Sequence, residues 1–254
     1  MKIATWNVNS IRVRLPLVMD WLSNHAIDVL LLQELKCQQE QFPEAAFFDL
    51  GYNCAVLGQK TYNGVAILSK YPIEDVQYNI PEFEDTQARY IEAFTAGKRV
   101  ASVYVPNGSE VGSDKYDYKL DFLKALARHM QAILAHKEEI VIGGDFNIAP
   151  SDLDVYDPEK WDEQILCSKA ERHHFRTLLN MGYYDAFRTL KPQEPGFTWW
   201  DYRAGSFAQN KGMRIDHFLL SPETVDIATD VTVDTYPRTQ DQPSDHAPVI
   251  LDIL

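Results

Sequence analysis

Ile140-Val141-Ile142-Gly143-Gly144-Asp145-Phe146-Asn147 is the stretch from which the fold can be read. Three apolar β-formers in a row fit a strand buried on both faces. Two glycines then leave room for close backbone approach. Alternate residues of an extended chain point the same way, so Asp145 and Asn147 can reach one site. A carboxylate ending a buried strand is costly to desolvate unless a partner or cation meets it. On its own the stretch also fits a strand ending in a turn, with Asp145 as a local cap.

The same pattern recurs. Lys2 to Val8 reads as a strand whose end carries Asn7 and Asn9. Leu15, Val18, Leu22 and His25 follow at helical spacing, with Pro16 tolerable only in a first turn. Asp28 to Leu32 is a second buried strand, ending in Gln33-Glu34, with Lys36 placed to pair with Glu34 on the surface. Phe42 to Leu50 reads as a short helix behind Pro43. Tyr52–Leu57 and Val65–Ser69 read as paired strands. Tyr90–Thr95 and Arg99–Val105 read as a hairpin around Ala96-Gly97, its second arm ending in Tyr104 and Asn107. Lys115 to His136 is the clearest helix. Tyr116, Leu120, Leu123, Ala127, Met130 and Leu134 form its buried stripe, and Lys119, Asp121, Lys124 and Arg128 lie off it. Asp152 to Glu163 is acidic and irregular. Ser168 to Glu171 has capping-box spacing for a helix that Gly182 ends. Arg214–Leu220 and Ala247–Ile253 read as strands, with Asp216, Asp245 and His246 at their starts.

Strand ends and strand starts meet at one edge only if some neighbouring strands run antiparallel. A mixed sheet, or two packed sheets, therefore brings Asn7, Glu34, Tyr104, Asp145, Asn147, Asp216, Asp245 and His246 to one rim. The inventory there is oxygen-rich with one imidazole, which suits Mg²⁺ or Mn²⁺ shared with a phosphate. There is no P-loop and no nucleophile elbow. Attack of water on a phosphodiester, assisted by a cation, is the reaction this set supports. The base is either His246 or Asp145. Asp245 adjoins His246 and points elsewhere in an extended chain, so the orienting carboxylate is Asp216. Tyr104 and Asn147 can donate to the phosphorus centre.

Composition bounds the rest. The chain has 254 residues, 45% of them hydrophobic, with no linker-like or low-complexity run, which suits one domain over 1–254. No apolar stretch is long enough to span a bilayer and no signal-peptide core is present, so a cytoplasmic protein away from membranes is expected. Three widely spaced cysteines fit a reducing compartment rather than disulfides or zinc. A net charge of −13 opposes nonspecific coating of nucleic acid. Locally, Tyr202 to Ile215 carries Arg203, Lys211 and Arg214 and no acid.

Thr5-Trp6-Asn7-Val8-Asn9, Leu32-Gln33-Glu34, Tyr104-Val105-Pro106-Asn107, Gly144-Asp145-Phe146-Asn147, Arg214-Ile215-Asp216-His217 and Ser244-Asp245-His246 resemble, in order, the motifs of the exonuclease III family of apurinic/apyrimidinic endonucleases, part of the endonuclease/exonuclease/phosphatase superfamily. The likeness runs through nearly the whole chain. The narrower marks of the DNA-repair branch are Lys115–Phe122, Phe197–Arg203 and Arg214–Ser221. The resemblance implies a four-layer α/β sandwich: two mixed β-sheets face to face, helices outside. It implies Glu34 as the main Mg²⁺ ligand, supported by Asn7 and Asp245, with Asp145, Asn147 and His246 completing the metal set. It implies Asp145 and Asn147 as the proton-transferring pair, Asp216 and His246 as a dyad, and Tyr104 as a phosphate contact. Lys36, Arg89 and Asn107 match positions beside DNA. Trp199, Met213 and Ile215 match an apolar pocket for a flipped-out baseless sugar, and Arg203 a side chain that enters the duplex. Leu35 and Met213 depart from the usual residues, and Ser168 lies in a stretch that influences endonuclease against exonuclease preference.

The expected activity is Mg²⁺-dependent cleavage 5′ to abasic sites, with 3′-to-5′ exonuclease and 3′-phosphatase or phosphodiesterase activity, by a monomer. The expected partner is duplex DNA bearing abasic sites or blocked 3′ ends. The alternatives are a phosphoesterase of the same fold acting on RNA, lipid or inositol phosphates, a 3′-exonuclease with weak abasic-site activity, and a noncatalytic DNA-binding protein.

Overall fold

The computed structural model describes residues 1–254. Its strands are β1 (Lys2–Asn7), β2 (Val29–Gln33), β3 (Asn53–Leu57), β4 (Val65–Ser69), β5 (Ile73–Tyr78), β6 (Tyr90–Thr95), β7 (Lys98–Tyr104), β8 (Ile140–Asp145), β9 (Tyr184–Asp185), β10 (Asp216–Leu220), β11 (Ala228–Val233) and β12 (Val249–Ile253). They form two six-stranded sheets, ordered β11-β12-β1-β2-β4-β3 and β5-β6-β7-β8-β10-β9. Both are mixed: β1 and β2 are parallel, as are β7 and β8, while β12 and β10 run against them.

The sheets face each other through Ile3, Leu31, Val65 and Ile67 on one side and Ile91, Val100, Val141 and Phe218 on the other. Gln33 donates to the Ser102 hydroxyl across the interface, so the polar atoms there are matched. The helix Ile11–Asn24 covers the outer face of the first sheet, and the helices Asp114–Leu134 and Lys169–Asn180 cover that of the second. This is the four-layer α/β arrangement expected. No helix is long and apolar enough to cross a membrane, and all three cysteines are free.

The paired glycines have a packing reason. A Cβ on Gly143 would stand 2.6 Å from the Phe218 ring and 2.8 Å from Leu31, and one on Gly144 would collide with the Val103 carbonyl oxygen. The central strand is thus glycine where the two sheets and two strands approach most closely.

Three details differ from the sequence reading. Pro16 lies inside the helix Ile11–Asn24, beyond its first turn, where it leaves the Arg12 carbonyl without the usual partner. Edge strands β5, β9 and β11 are not read from the sequence: β5 is mostly exposed, β9 is two residues long, and β11 mixes exposed, half-buried and buried residues. In the helix Asp114–Leu134 the buried face includes Phe122, Leu126, Ile133 and, unexpectedly, Lys119, which is 0% exposed. Leu120, Ala127 and Leu134 are only partly covered.

Candidate active site

Sheet register assembles the rim. Asp145 at the end of β8 stands opposite Tyr104, the end of parallel β7, and opposite Asp216, the start of antiparallel β10. In the facing sheet Asn7 ends β1 opposite Gln33, and Glu34 follows at once. One potential ligand atom from each of Glu34, Asp145 and His246 lies within 4.8 Å of the other two. Residues far apart in sequence therefore line one cleft.

The hydrogen bonds are directional. The Asn7 amide donates to both Glu34 Oε1 and Asp145 Oδ2, each at 2.9 Å, bridging the sheets. Tyr104 donates its hydroxyl to Glu34 Oε1 at 2.8 Å, and Lys36 Nζ meets Glu34 Oε2 at 2.7 Å. Burial would raise the Glu34 carboxyl, but Lys36 and the Asn7 hydrogen bond outweigh it and hold it below its ordinary value. Lys36 thus keeps the carboxylate charged rather than forming the simple surface pair expected. Glu34 and Asn147 both adopt left-handed backbones, with φ 53° and 49°. Such conformations persist where surrounding contacts enforce them.

His246 Nδ1 bonds Asp216 Oδ2 at 2.9 Å, and its Nε2 stands 3.7 Å from Asp145 Oδ2. Thr198 donates its hydroxyl to the same Asp216 oxygen at 2.6 Å, fixing the carboxylate. Burial opposes charge on the imidazole, yet Asp216 and Asp145 push its pKa up to about 10. Asp145 moves the other way from an ordinary carboxyl: burial raises it to about 7, with His246 opposing and Asp216 adding. The two groups are therefore shifted in ways that favour a shared proton between His246 and the Asp216 and Asp145 carboxylates.

Asn147 is held on every side. Its N–H donates to Asp145 Oδ1, its side-chain amide to the Val105 carbonyl, and its Oδ1 accepts from Asn107. Asp245 lies outside the three-residue cluster: Asn9 donates to one oxygen and the Trp199 indole to the other.

Flanking the rim are two cavities. One, of about 530 Å³, is lined by Arg89, Tyr104, Asn107, Lys115 and Tyr118, with the Arg89 guanidinium 4.8 Å from the centre of the Tyr104 ring. The other, of about 240 Å³, is lined by Trp199, Arg203, Lys211, Lys160 and Trp161. Arg203 is exposed and paired with Asp201. Met213 and Ile215 are 0% and 2% exposed, packed with Ala149, Val155 and Leu166 in one apolar cluster. The wall expected to receive a sugar is therefore filled by its own side chains. Arg214, counted as part of a basic loop in the sequence, is interior and bonded to Asp154 and Asp185. Ser168 is buried as the N-cap of its helix and bonded to Tyr116 and Glu171, and Leu35 is core.

Thr198 is not singled out by the sequence, and Asn9 is read there only as a polar strand end, with no site role. Thr198 is the polar residue in an aromatic run, and Asn9 stands two residues after Asn7. Those are the signals that point to them.

A model of the endonuclease/exonuclease/phosphatase family matches residues 4–246. The exodeoxyribonuclease III of Haemophilus influenzae is 34% identical over 262 residues, covering 98% of each chain. Among solved structures, a 3′ phosphatase from Neisseria bound to a product DNA hairpin is 45% identical, with TM-score 0.98 over 100% of this chain and 99% of that one. An AP endonuclease from Archaeoglobus fulgidus is 37% identical, with TM-score 0.96 over the same shares.

Proposed function

The chain belongs to the endonuclease/exonuclease/phosphatase family as an exodeoxyribonuclease III-type DNA-repair nuclease, and we propose that it is a Mg²⁺-dependent phosphodiesterase that trims blocked 3′ ends of duplex DNA and cuts 5′ to abasic sites. The reading takes residues 1–254 as one domain acting as a monomer in the cytoplasm. The observation that carries it is the convergence of Glu34, Asp145 and His246 beside Tyr104 and Asn147.

The donor set fits a hard divalent cation. Carboxylate oxygens of Glu34 and Asp145 are brought together by Asn7, and burial raises the Asp145 pKa, a desolvation cost that a bound cation would offset. Glu34 and Asp145 would hold Mg²⁺, with Asn7, Asn147 and Asp245 around them. When bound, the cation supplies neutralisation of a phosphate oxygen and of the charge developing on it.

Asp145, which faces the cleft 3.7 Å from His246 Nε2, takes the proton from the attacking water. His246, whose pKa Asp216 and Asp145 push up, serves as a donor to a phosphoryl oxygen. Asp216 and Thr198 hold its ring. The remaining amide proton of Asn147 stabilises the pentavalent centre, and Tyr104 does so by turning its hydroxyl from Glu34 to a phosphoryl oxygen. Arg89 and Asn107 border the path of the backbone on one side, and Trp199 and Arg203 on the other.

A second reading, mainly a 3′-end enzyme with weak abasic-site activity, is favoured by the filled Met213–Ile215 wall. An extrahelical sugar has to displace those side chains, whereas a 3′-terminal phosphate meets the rim directly. The test is one set of duplexes (internal abasic, 3′-phosphate, blunt, recessed 3′ end) assayed with Mg²⁺, Mn²⁺ or chelator. Sphingomyelin and inositol phosphates serve as competing substrate classes. The 3′-phosphate is expected to exceed the abasic duplex by at least about tenfold, with chelator abolishing both. Abasic cleavage as fast as 3′-phosphate release would overturn the second reading. Chelator-insensitive turnover, or preference for lipid, would overturn the first.

A further inference from the structure

We infer that Lys119, paired with Glu171, is a positioning residue for the catalytic loop: its buried ammonium clamps the backbone carbonyls of Asn147 and Asn107 and so sets where the Asn147 side chain stands. The inference rests on the phosphodiesterase reading. Lys119 and Glu171 are both 0% exposed, so neither can touch DNA. An ammonium has three protons. Those of Lys119 go to the Asn147 carbonyl at 2.6 Å, the Asn107 carbonyl at 3.1 Å, and a Glu171 carboxylate oxygen. Asn107 and Asn147 come from the segments after β7 and β8, and their side chains are bonded to each other at 3.1 Å. One cation therefore gathers two chain segments at the residue whose left-handed backbone turns it back over Asp145.

Glu171 anchors the clamp from the other side. Its second oxygen accepts from the Ser168 N–H and hydroxyl at the start of the helix Lys169–Asn180, and its first also accepts from the Leu166 N–H. A carboxylate serving only as a cap needs no buried lysine. A buried lysine is costly without a carboxylate. The arrangement makes sense when the carbonyl contacts are what the ammonium is there to make.

Lys119→Met alone leaves the Glu171 charge buried and is expected to destabilise the fold. Lys119→Met with Glu171→Gln removes both charges and keeps the cap. This double variant is expected to melt within a few degrees of the unsubstituted protein. Its kcat on a 3′-phosphate duplex is expected to fall by about 30- to 100-fold, the scale of an ångström-sized misplacement, with KM changed less than about threefold. In an Asn147→Ala background the same double change should cost less than about threefold, because the side chain it positions is gone. A wild-type kcat in the folded double variant, a loss confined to KM, or the full penalty persisting without the Asn147 side chain would each overturn the inference. Turnover by the unsubstituted protein tests the underlying reading, and the ratio of variant to unsubstituted rates tests this one.

Discussion

Around Arg214 and around Asp145 the protein buries ionised groups in two different ways. Arg214 donates to Asp154 at 2.7 Å and, through both terminal nitrogens, to Asp185 at 3.0 and 2.8 Å. Arg188 donates to the same Asp154 oxygen at 2.6 Å. Two guanidiniums face two carboxylates. Burial would raise both acids, yet Arg214 outweighs it and holds each below its ordinary value. At the rim, the ion pairs to Glu34, Asp145 and Asp216 come from Lys36 and His246 alone, Asp245 has none, and burial raises Asp145 to about 7. Matched charge holds the Tyr202–Ile215 segment to the body of the fold. Unmatched acid leaves room for a cation and a phosphate, and for a proton to move.

The contrast breaks first at Asp145. Asp145→Asn removes the proposed proton acceptor and ligand, and keeps one oxygen, which can accept from either the Asn7 amide or the Asn147 N–H. We expect kcat on a 3′-phosphate duplex to drop by about 10³-fold or more. Because the raised pKa means that the ionised carboxyl opposes folding, the variant should melt no lower than the unsubstituted protein. A steady-state assay with a thermal melt checks both, and an active or unfolded variant would remove the distinction. Arg214→Met should do the reverse. It strands the buried Asp185 carboxylate, leaves Asp154 with Arg188 as its one guanidinium, and is expected to cost about 3–5 kcal/mol in urea unfolding. A loss under about 1 kcal/mol would mean that the network adds nothing beyond packing.

Much of this was legible in the sequence because strands alternate with period two and acids rarely end buried strands without cause. That logic located Asn7, Glu34, Asp145, Asp216 and His246, and the requirement that strand ends meet strand starts foresaw the mixed sheets. It failed where the explanation lies across the fold. Lys119 was placed off the buried stripe because helical periodicity sorts charged residues outward, and its partner Glu171 is on another helix. Arg214 was read as basic surface for the same reason: Asp154 and Asp185 are distant in sequence. The register that sets Tyr104, Asp145 and Asp216 side by side is a tertiary fact. The filling of the Met213–Ile215 wall is another, since residue types name an apolar surface but not what already occupies it.

The smallest effect sharpens the comparison from inside the matched network. His217 is 1% exposed, packed between Phe146 and Phe175. Its Nδ1 accepts from Arg214 at 3.0 Å and its Nε2 donates to the Ile148 carbonyl at 2.8 Å, an arrangement that only the neutral ring can make. Burial first, and Arg214 second, push its pKa down to about 4, with Asp185 opposing. In the unfolded chain a histidine titrates near ~6.5. Between those values the unfolded state binds the extra proton, so stability is present above about pH 6.5 and is lost as pH falls towards about 4. The full difference is on the order of 3 kcal/mol. His217→Gln, which keeps a donor and an acceptor but cannot titrate, should lose this contribution, so its unfolding free energy falls less with acid than that of the unsubstituted protein across that window. Asp145, with its raised pKa, adds the opposite slope to both. His246 lies on the other side of the comparison: its raised pKa leaves it protonated in the same window, so it cannot account for the slope. Parallel pH–stability curves for the variant and the unsubstituted protein would show that the imidazole buried beside Arg214 is not what the acid limb reports.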